Sequence, residues 1–331
     1  MAKPKPRKTN DKTLVMLAWG LNVFGLCALA LAAVAYWALT PVSAASRDNV
    51  GTAYTATMPP TYTPDAFSLN LPTITPNPFS TMIVVQSPTP FVLQNAAFSG
   101  GASVATVGYS VSGRPIEVYI FGNGKHEKMI VAGIHGGYEW NTIALADELI
   151  RHIFENPDII PEDVTLYILR NMNPDGDARD HGIDGRVNDH GVDLNRNFPT
   201  NWEATWERDG CWNLTKTTGG LGPGSEPETK AVMYFLQSHK VETLISYHSA
   251  ALGVFPGGMP WETDSKKFAK ALAKATQYPY PPIDTGCIYT GTLADYAVGL
   301  GVTAVDMELR THKYTDFEEN LKALEALLNW K

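Results

Sequence analysis

From about residue 100 onward, short apolar segments alternate with segments in which apolar residues recur every three or four positions. The short runs are typical of buried strands, and the longer spacing is typical of helices that pack one face against a sheet. We predict strands at residues 115–121, 129–134, 164–169, 243–247 and 304–308. We predict helices at residues 142–154, 226–238, 265–276 and 316–328. This order predicts an α/β fold in which helices flank a mixed, largely parallel β-sheet.

The segment near the N-terminus has a composition that suits a membrane. Residues 13–40 contain no charged side chain, and about 20 apolar residues in a helix suffice to cross the hydrocarbon layer. The basic residues before this run are Lys3, Lys5, Arg7, Lys8 and Lys12. The positive-inside rule then keeps residues 1–12 in the cytoplasm and exports the rest of the chain. We predict a transmembrane helix, or signal anchor, at residues 13–40 and an extracytoplasmic folded domain at residues 96–331.

A cleaved signal peptide is the alternative for the same segment. Val42, Ser43 and Ala44 resemble a cleavage site of small residues, and cleavage there would release a secreted protein. The apolar run exceeds the usual core of a signal peptide, roughly 7–15 residues, which favours a retained anchor. Residues 41–95 are rich in Thr, Pro and Ser and poor in charge. Because prolines remove backbone donors, we predict an extended linker that separates the domain from the bilayer.

The net charge and the cysteines limit the remaining options. The formal charge is −8, and the basic residues cluster only at the N-terminus, which argues against nucleic acid as a partner. Of the three cysteines, Cys27 lies in the apolar span, so Cys211 and Cys287 remain for the exported part. An oxidising compartment would allow these two to form a disulfide, and two separate buried thiols are the alternative.

Two histidines follow apolar strands of the predicted sheet, where ligand-binding side chains gather in such folds. In VAGIHGGYEWNT the strand ends at His135, glycines turn the chain, and Glu139 opens the next helix. In SYHSA a second strand ends at His248. Two histidines and one glutamate, with a fourth position open to water, form the ligand set of many catalytic zinc sites. A single histidine at such a position is more often structural, so the prediction depends on all three residues together.

Two further segments carry side chains suited to catalysis. In AVDMELR a strand brings Glu308 to the same end of the sheet, where a carboxylate can take a proton from an attacking water. A salt bridge with Arg310 is the structural alternative for this glutamate. The segment RVNDHGVDLNRNF concentrates Arg186, Asn195 and Arg196 in a predicted loop. A guanidinium matches a carboxylate through its planar fork, so this loop is a candidate carboxylate-binding site.

The order and content of these motifs resemble the zinc carboxypeptidase family typified by carboxypeptidase A, including its short bacterial members that act as murein-peptide amidases. The resemblance covers roughly residues 100–331. It implies that His135, Glu139 and His248 bind one zinc ion (Zn2+) in the catalytic domain. It also implies that Glu308 is the general base that later protonates the leaving amine, and that Arg186 polarises the scissile carbonyl.

The same resemblance implies how the substrate is held. Asn195 and Arg196 would bind the terminal carboxylate of the substrate, and Tyr289 in CIYTGTLADY would close over it. The family usually spaces its first two ligands as His-x-x-Glu, whereas three residues separate them in this chain. Tyr138 stands where many digestive members have an arginine that contacts substrate. Ala294 is the nearest candidate for the floor of the specificity pocket, which predicts a preference for neutral side chains over basic ones.

These interpretations predict a zinc-dependent metallocarboxypeptidase that removes C-terminal residues from peptides outside the cytoplasm. A murein-peptide amidase that cuts γ-D-glutamyl-diaminopimelate bonds in cell-wall peptides is the alternative within enzymes. A non-catalytic binding module on the same fold is the alternative outside enzymes. Glu308 argues against the binding module, because a binder has no chemical use for a general base at that position.

Overall fold

The strands form where the short apolar runs occur, and they pair in one sheet. The computed structural model describes residues 96–97, 102–206, 217–284 and 286–331. Within these residues the strands are β1 (Ala96–Ala97), β2 (Ser103–Tyr109), β3 (Pro115–Gly122), β4 (His126–Val131), β5 (Val164–Leu169), β6 (Val241–Ser249), β7 (Gly253–Pro256) and β8 (Thr303–Leu309). Their spatial order is β1-β2-β3-β5-β4-β6-β8-β7.

Helices connect the inner strands and cover the sheet. The α-helices of the described residues are α1 (Trp140–Glu155), α2 (Pro174–Arg179), α3 (Pro227–Ser238), α4 (Thr263–Ala275), α5 (Leu293–Gly299) and α6 (Phe317–Leu328). Single turns of 3-10 helix lie at Gly136–Glu139, Pro157–Ile159, Ile183–Gly185 and Leu194–Arg196. Pro174 and Pro227 each occupy the first position of their helix, where a missing backbone N–H costs nothing.

The predicted flanking of a mixed sheet by helices is confirmed, but the description of that sheet as largely parallel is wrong. Strands β5, β4, β6 and β8 are parallel to one another. The pairs β1–β2, β2–β3, β3–β5 and β7–β8 are antiparallel. The reason is local, because β2 and β3 are joined by a tight turn that includes Gly113, and only the inner strands have helical crossovers.

The inner strands are apolar on both faces because each face packs against helices. Along β4, Met129 and Val131 belong to one hydrophobic cluster and Ile130 to the other. One cluster includes residues of α1, α4 and α6, and the other includes residues of α3 and α5. Because both faces of these strands are buried, the strands appear in the sequence as continuous apolar runs.

Several predictions concern residues outside the described ranges. The predicted membrane span at 13–40, the cytoplasmic segment at 1–12 and the linker at 41–95 all lie there, as does Cys211. In the part of the chain that the structure describes, no helix is long and apolar enough to cross a membrane.

Candidate metal centre and substrate cavity

The loop after β4 brings His135 and Glu139 to the same point. The strand ends at Val131, three residues earlier than predicted, and the chain then turns away from the sheet. Gly136 adopts a φ of +46°, and a Cβ at this position would lie 2.7 Å from the carbonyl oxygen of Gly185. One turn of 3-10 helix follows and places Glu139 at the start of α1. The extra residue between the two side chains is therefore accommodated by the turn.

His248 lies on β6 and completes the set. The metal-facing atoms of His135, Glu139 and His248 all lie within 4.8 Å of one another, and all three side chains are buried. The Nδ1 atom of His135 is 2.7 Å from Oε1 of Glu139, and the Nδ1 atom of His248 is 3.2 Å from Oε2 of the same carboxylate. Two imidazole nitrogens and a carboxylate that converge in a buried pocket are donors suited to zinc, so the three residues are placed to bind this ion.

The nitrogens on the opposite side of each imidazole are also occupied. Nε2 of His135 lies 3.1 Å from Oδ1 of Asp193, and Nε2 of His248 lies 2.9 Å from Oγ of Ser246. Oδ1 of Asp306 lies farther from the same nitrogen of His248, at 3.5 Å. Contacts of this kind fix the ring orientation and leave the Nδ1 lone pair directed at the metal position.

Charge is balanced tightly in this pocket. Burial alone would raise the pKa of Glu139, but the charges and hydrogen bonds of His135 and His248 lower it well below its ordinary value. Burial would likewise raise the pKa of Asp193, and the neighbouring Arg186 and His135 hold it far below its usual range. Both carboxylates are therefore ionised and acceptor-only near neutral pH.

Glu308 lies on β8 directly beside His248. The two residues are in register across the parallel pair β6–β8, at the carboxyl ends of both strands. Oε2 of Glu308 accepts a hydrogen bond of 2.9 Å from the backbone N–H of Ala251. Burial and the nearby Glu139 carboxylate raise the pKa of Glu308 to about 6, against the opposing charge of His248. A carboxyl group in this range can accept and return a proton near neutral pH.

Arg186 is buried on the other side of the metal position. Its Nε and Nη2 atoms donate to Oδ2 of Asp193 at 3.0 and 2.9 Å. Its Nη1 atom lies 3.4 Å from Oε1 of Glu139. The Asp193 carboxylate thus contacts both Arg186 and His135, a contact that sequence reasoning missed. The signal for it was its position two residues before Asn195 in the DLNRNF segment.

Asn195 and Arg196 are placed side by side by the 3-10 helix Leu194–Arg196. Oδ1 of Asn195 accepts the backbone N–H of Leu293, which leaves its amide Nδ2 directed toward His248 at 3.3 Å. Arg196 is 6% exposed, and its guanidinium lies 4.8 Å above the ring centre of Tyr289. It forms no salt bridge with any described residue, and burial lowers its pKa. A buried guanidinium without a carboxylate partner is a site prepared for an anion.

All eight predicted site residues line one cavity of about 740 Å3. It is bordered by the apolar side chains of Phe255, Pro256, Met259, Trp261 and Ile283. The cavity is large enough for a small ligand or the end of a peptide.

The prediction for the pocket floor is wrong. Ala294 does not line the cavity, because its side chain on α5 is 2% exposed and packs in the hydrophobic cluster with Leu293 and Ala297. Three aspartates, Asp284, Asp295 and Asp306, line the cavity. The alternation of β8 residues in VDMEL would have indicated that Asp306 and Glu308 share a face.

Tyr138 and His312 form an aromatic pair, and His312 lines the cavity. The rings of Tyr138 and His312 lie 4.5 Å apart, and Nδ1 of His312 is 3.0 Å from Oγ of Ser249. Tyr138, which the sequence marked as a departure from the family pattern, is therefore part of an aromatic pair near the metal ligands. His312 was missed because its loop carries no recognisable motif.

Cys287 lies in the loop that leads to Tyr289, and it is disulfide-bonded. This agrees with the disulfide expected for Cys287 from the sequence. Its predicted partner, Cys211, lies outside the described ranges, so the pairing stays a prediction.

Comparison with known proteins relates this site to a family. The model of the zinc carboxypeptidase family matches residues 93–326. Mast cell carboxypeptidase A of Rattus norvegicus is 34% identical over 33% of this chain, and the match spans only 30% of the relative's own length.

Two solved structures share the fold. Bovine thrombin-activatable fibrinolysis inhibitor, in complex with tick carboxypeptidase inhibitor, superposes with a TM-score of 0.57 and 20% identity, covering 69% of this chain and 89% of that chain. Murein-tripeptide amidase from Escherichia coli O157 superposes with a TM-score of 0.54 and 24% identity, covering 71% of this chain and 94% of that chain. The family model spans well over half of this chain, and the buried His135, Glu139 and His248 set fits zinc. This chain belongs to the zinc carboxypeptidase family.

Proposed function

We propose that the protein is a zinc-dependent metallocarboxypeptidase that releases C-terminal residues from peptides outside the cytoplasm. The observation that carries this proposal is the placement of three groups in one cavity. Glu308, a candidate general base, lies beside the metal ligand His248. Arg196, which is buried and forms no salt bridge with any described residue, lines the same cavity as Glu308 and the metal ligands. The metal ligands and Glu308 would act on the scissile peptide bond, and Arg196 would bind a free carboxylate at the C-terminus of the same substrate.

Zinc bound by His135, Glu139 and His248 would supply a Lewis acid that polarises the scissile carbonyl and the attacking water. The protein residues carry out the proton transfers. Glu308 takes one proton from the water as its oxygen attacks the carbonyl carbon, and then delivers that proton to the leaving amine nitrogen. Its raised pKa, about 6, suits both steps.

Arg186 is proposed to stabilise the negative charge that develops on the carbonyl oxygen. Its guanidinium is held by Asp193 and is buried, so it is oriented before substrate arrives. A donor fixed in a site of low dielectric is worth more to the transition state than the same donor in water. Asp193 acts through Arg186 and His135, and we regard it as a positioning residue.

Exopeptidase action follows from Arg196 and Asn195. The cost of burying a charged guanidinium is recovered when an anion pairs with it, and a peptide amide does not provide that anion. Tyr289, stacked on Arg196, is placed to cover the terminal residue once it is bound. A substrate with an uncharged C-terminus should therefore be rejected.

The experiment compares matched peptides with free and amidated C-termini. We expect hydrolysis of the free form only, and Arg196→Ala should lower its kcat/KM by about 10- to 100-fold, the equivalent of one charged hydrogen-bond contact. Arg151→Ala, which removes an exposed arginine from α1, should leave kcat/KM unchanged. Equal cleavage of free and amidated peptides would contradict the exopeptidase assignment.

Murein peptides provide a further arm of the same experiment. A tripeptide ending in diaminopimelate also presents a free carboxylate to Arg196, so the cavity chemistry accommodates it. Cleavage of this substrate with no cleavage of ordinary peptides would move the assignment to a murein-peptide amidase. Absence of hydrolysis with zinc bound would support the binding module.

For location, we propose that residues 13–40 anchor the protein in a membrane and that residues 41–95 extend the domain away from it. The support is the uncharged length of the first segment, the basic residues before it and the Thr/Pro composition of the second. The disulfide at Cys287 is consistent with an oxidising compartment.

A further inference from the structure

Asp306 lies on β8 two residues before Glu308, farther from the carboxyl end of the strand. The two residues are separated by one position on β8, so their side chains point to the same face of the sheet. In register, Asp306 lies beside Ser246 on β6 and beside Phe255 on β7, whereas Glu308 lies beside His248. A rise of about 3.3 Å per residue puts Asp306 roughly 7 Å farther along the strand from its carboxyl end.

Within the described part of the chain, this carboxylate has a long contact with His248 and a charge interaction with the Arg196 guanidinium, but it forms no salt bridge with an arginine or a lysine. Its Oδ1 atom is buried and accepts no hydrogen bond, and its side chain is 20% exposed. The nearest base is Nε2 of His248 at 3.5 Å, which already has Oγ of Ser246 at 2.9 Å. No lysine or arginine of the described residues forms a salt bridge with it. A buried carboxylate oxygen that accepts no hydrogen bond, on a side chain that lines the cavity, has the capacity to accept one from a ligand.

The cavity has two further aspartates besides Asp306, and both contact backbone N–H groups. Asp284 is exposed, and its Oδ1 atom accepts a hydrogen bond of 2.8 Å from the backbone N–H of Gly286. Oδ1 of Asp295 accepts a hydrogen bond of 2.7 Å from the backbone N–H of Gly258. This contact joins α5 to the loop after β7 and fixes one wall of the cavity. Burial raises the pKa of Asp295, which favours its neutral form. Asp306 is therefore the carboxylate available to a ligand.

Arg196, Glu308 and Asp306 line the same cavity. If the terminal carboxylate of a substrate pairs with Arg196 and its scissile bond lies at Glu308, as proposed above, the side chain of the last residue has Asp306 within the same cavity. Phe255 and Pro256 line the cavity with apolar surface, which suits the methylene groups of a long side chain.

We propose that Asp306 pairs with a cationic group, an ammonium or a guanidinium, on the side chain of the substrate's C-terminal residue. The inference rests on the proposed carboxypeptidase function and specifies its substrate class. It replaces the preference for neutral side chains that Ala294 had suggested. Lysine and arginine supply this cation in peptides, and the distal amine of diaminopimelate supplies it in murein.

A purely structural use of Asp306, in which it only orients His248, makes different predictions. That use would affect zinc binding and the turnover of every substrate to the same extent. Pairing with the substrate would affect charged side chains selectively. The Asp306→Asn variant keeps the size of the side chain and removes its charge, so it separates the two uses.

The experiment measures kcat/KM for peptides whose last residue is arginine or citrulline, and lysine or norleucine. Each pair has matched shape and differs in charge. We expect the wild type to favour the charged member by at least about tenfold, the range of one charged hydrogen bond. Asp306→Asn should abolish this ratio while it keeps zinc. Asp295→Asn, which keeps the acceptor for Gly258, should retain the ratio.

A binding measurement makes the outcome independent of turnover. Calorimetry with free L-arginine and L-citrulline should show tighter binding of arginine to the zinc-loaded wild type and equal binding to Asp306→Asn.

If no peptide is cleaved but arginine binds selectively, the proposed function fails and the Asp306 inference stands. Equal wild-type affinities and equal kcat/KM for each pair would overturn the inference, as would an Asp306→Asn variant that loses zinc and all activity uniformly. Cleavage of the murein tripeptide alone, lost in Asp306→Asn, would support the pairing and assign the cation to diaminopimelate.

Discussion

At the scale of single residues, protein side chains contact both imidazoles on the side away from the metal position. Asp193 and Ser246 hold the Nε2 atoms of His135 and His248, so the Nδ1 atoms face Glu139 and each other. Catalytic zinc sites use three protein ligands, and removal of one leaves too few to retain the ion. The affinity of the site should therefore depend on each ligand individually.

We expect the purified protein to contain about one zinc per chain, and His135→Ala or His248→Ala to lose it. Elemental analysis after gel filtration measures the occupancy. His312→Ala is the matched control, because this histidine lines the same cavity but is not among the three convergent ligands. Full zinc occupancy in both ligand variants would contradict the assignment.

Glu308→Gln tests the general base. The amide keeps the shape of the side chain but cannot accept a proton, so zinc should remain while kcat falls by about 10²–10⁴. Glu325→Gln, at an exposed position on α6, should keep wild-type turnover. Turnover of Glu308→Gln within a few fold of the wild type would remove Glu308 from the mechanism.

The pH profile gives a second test of the same residue. Glu308 must be ionised to accept a proton, and burial and Glu139 raise its pKa to about 6. The value of kcat/KM should therefore fall as the pH drops through about 6. Above that pH, where Glu308 is ionised, this group should no longer limit kcat/KM. The residual activity of Glu308→Gln should lack this acidic limb. An identical limb in the variant would assign the titration to another group.

At the scale of elements, the loop that carries Tyr289 depends on one glycine. Gly291 has a φ of +63°, and a Cβ there would lie 2.4 Å from the backbone oxygen of Arg196. Its N–H donates to Thr200 at 3.0 Å, and its carbonyl accepts from Phe198 at 3.0 Å. These hydrogen bonds join the loop that carries Tyr289 to the segment that follows Arg196.

A left-handed backbone alone costs a non-glycine residue about 1–3 kcal/mol. Gly291→Ala should lower the free energy of unfolding by more than this, because the added Cβ also meets the backbone oxygen of Arg196. It should also raise KM, because Arg196 must shift. Gly113→Ala is the control, since Gly113 has a φ of +79° but nothing within 4 Å of the added Cβ. Denaturant unfolding and steady-state kinetics measure both effects, and equal losses in the two variants would contradict the steric argument.

The elements show what could and could not be predicted from sequence. The apolar run at 164–169 matches β5 residue for residue, because that strand is buried on both faces. Strand β2 and helix α5 were missed, since SVATVGY has small and polar residues and LADYAVG is only two turns long. The metal ligands were predicted because each lies in a short segment at the end of an apolar run, His135 and Glu139 in one segment and His248 in another. Asp193 and Asp306 were not assigned, because their contacts depend on how separate segments meet in three dimensions.

At the scale of the whole molecule, the exported part should be held by a disulfide. Cys287 is bonded, and Cys211 is the cysteine expected to pair with it. A loop of this length contributes roughly 4 kcal/mol to stability in the chain-entropy model. Peptide mapping with and without reductant should recover a Cys211–Cys287 linked pair, and Cys27→Ser should leave it unchanged. Recovery of Cys211 as a free thiol from protein made in an oxidising compartment would contradict this pairing.

The last prediction concerns how the whole chain is located. Residues 13–40 are uncharged and longer than the core of a signal peptide, so we expect them to remain as an anchor with residues 1–12 in the cytoplasm. The full chain should sediment with membranes and resist extraction by alkaline carbonate. Deletion of residues 1–40, with export directed by a separate cleavable signal, should give a soluble protein with unchanged zinc content and kcat/KM. A mature N-terminus immediately after Ala44 in the full chain, found by N-terminal sequencing, would instead establish a cleaved signal and a secreted enzyme.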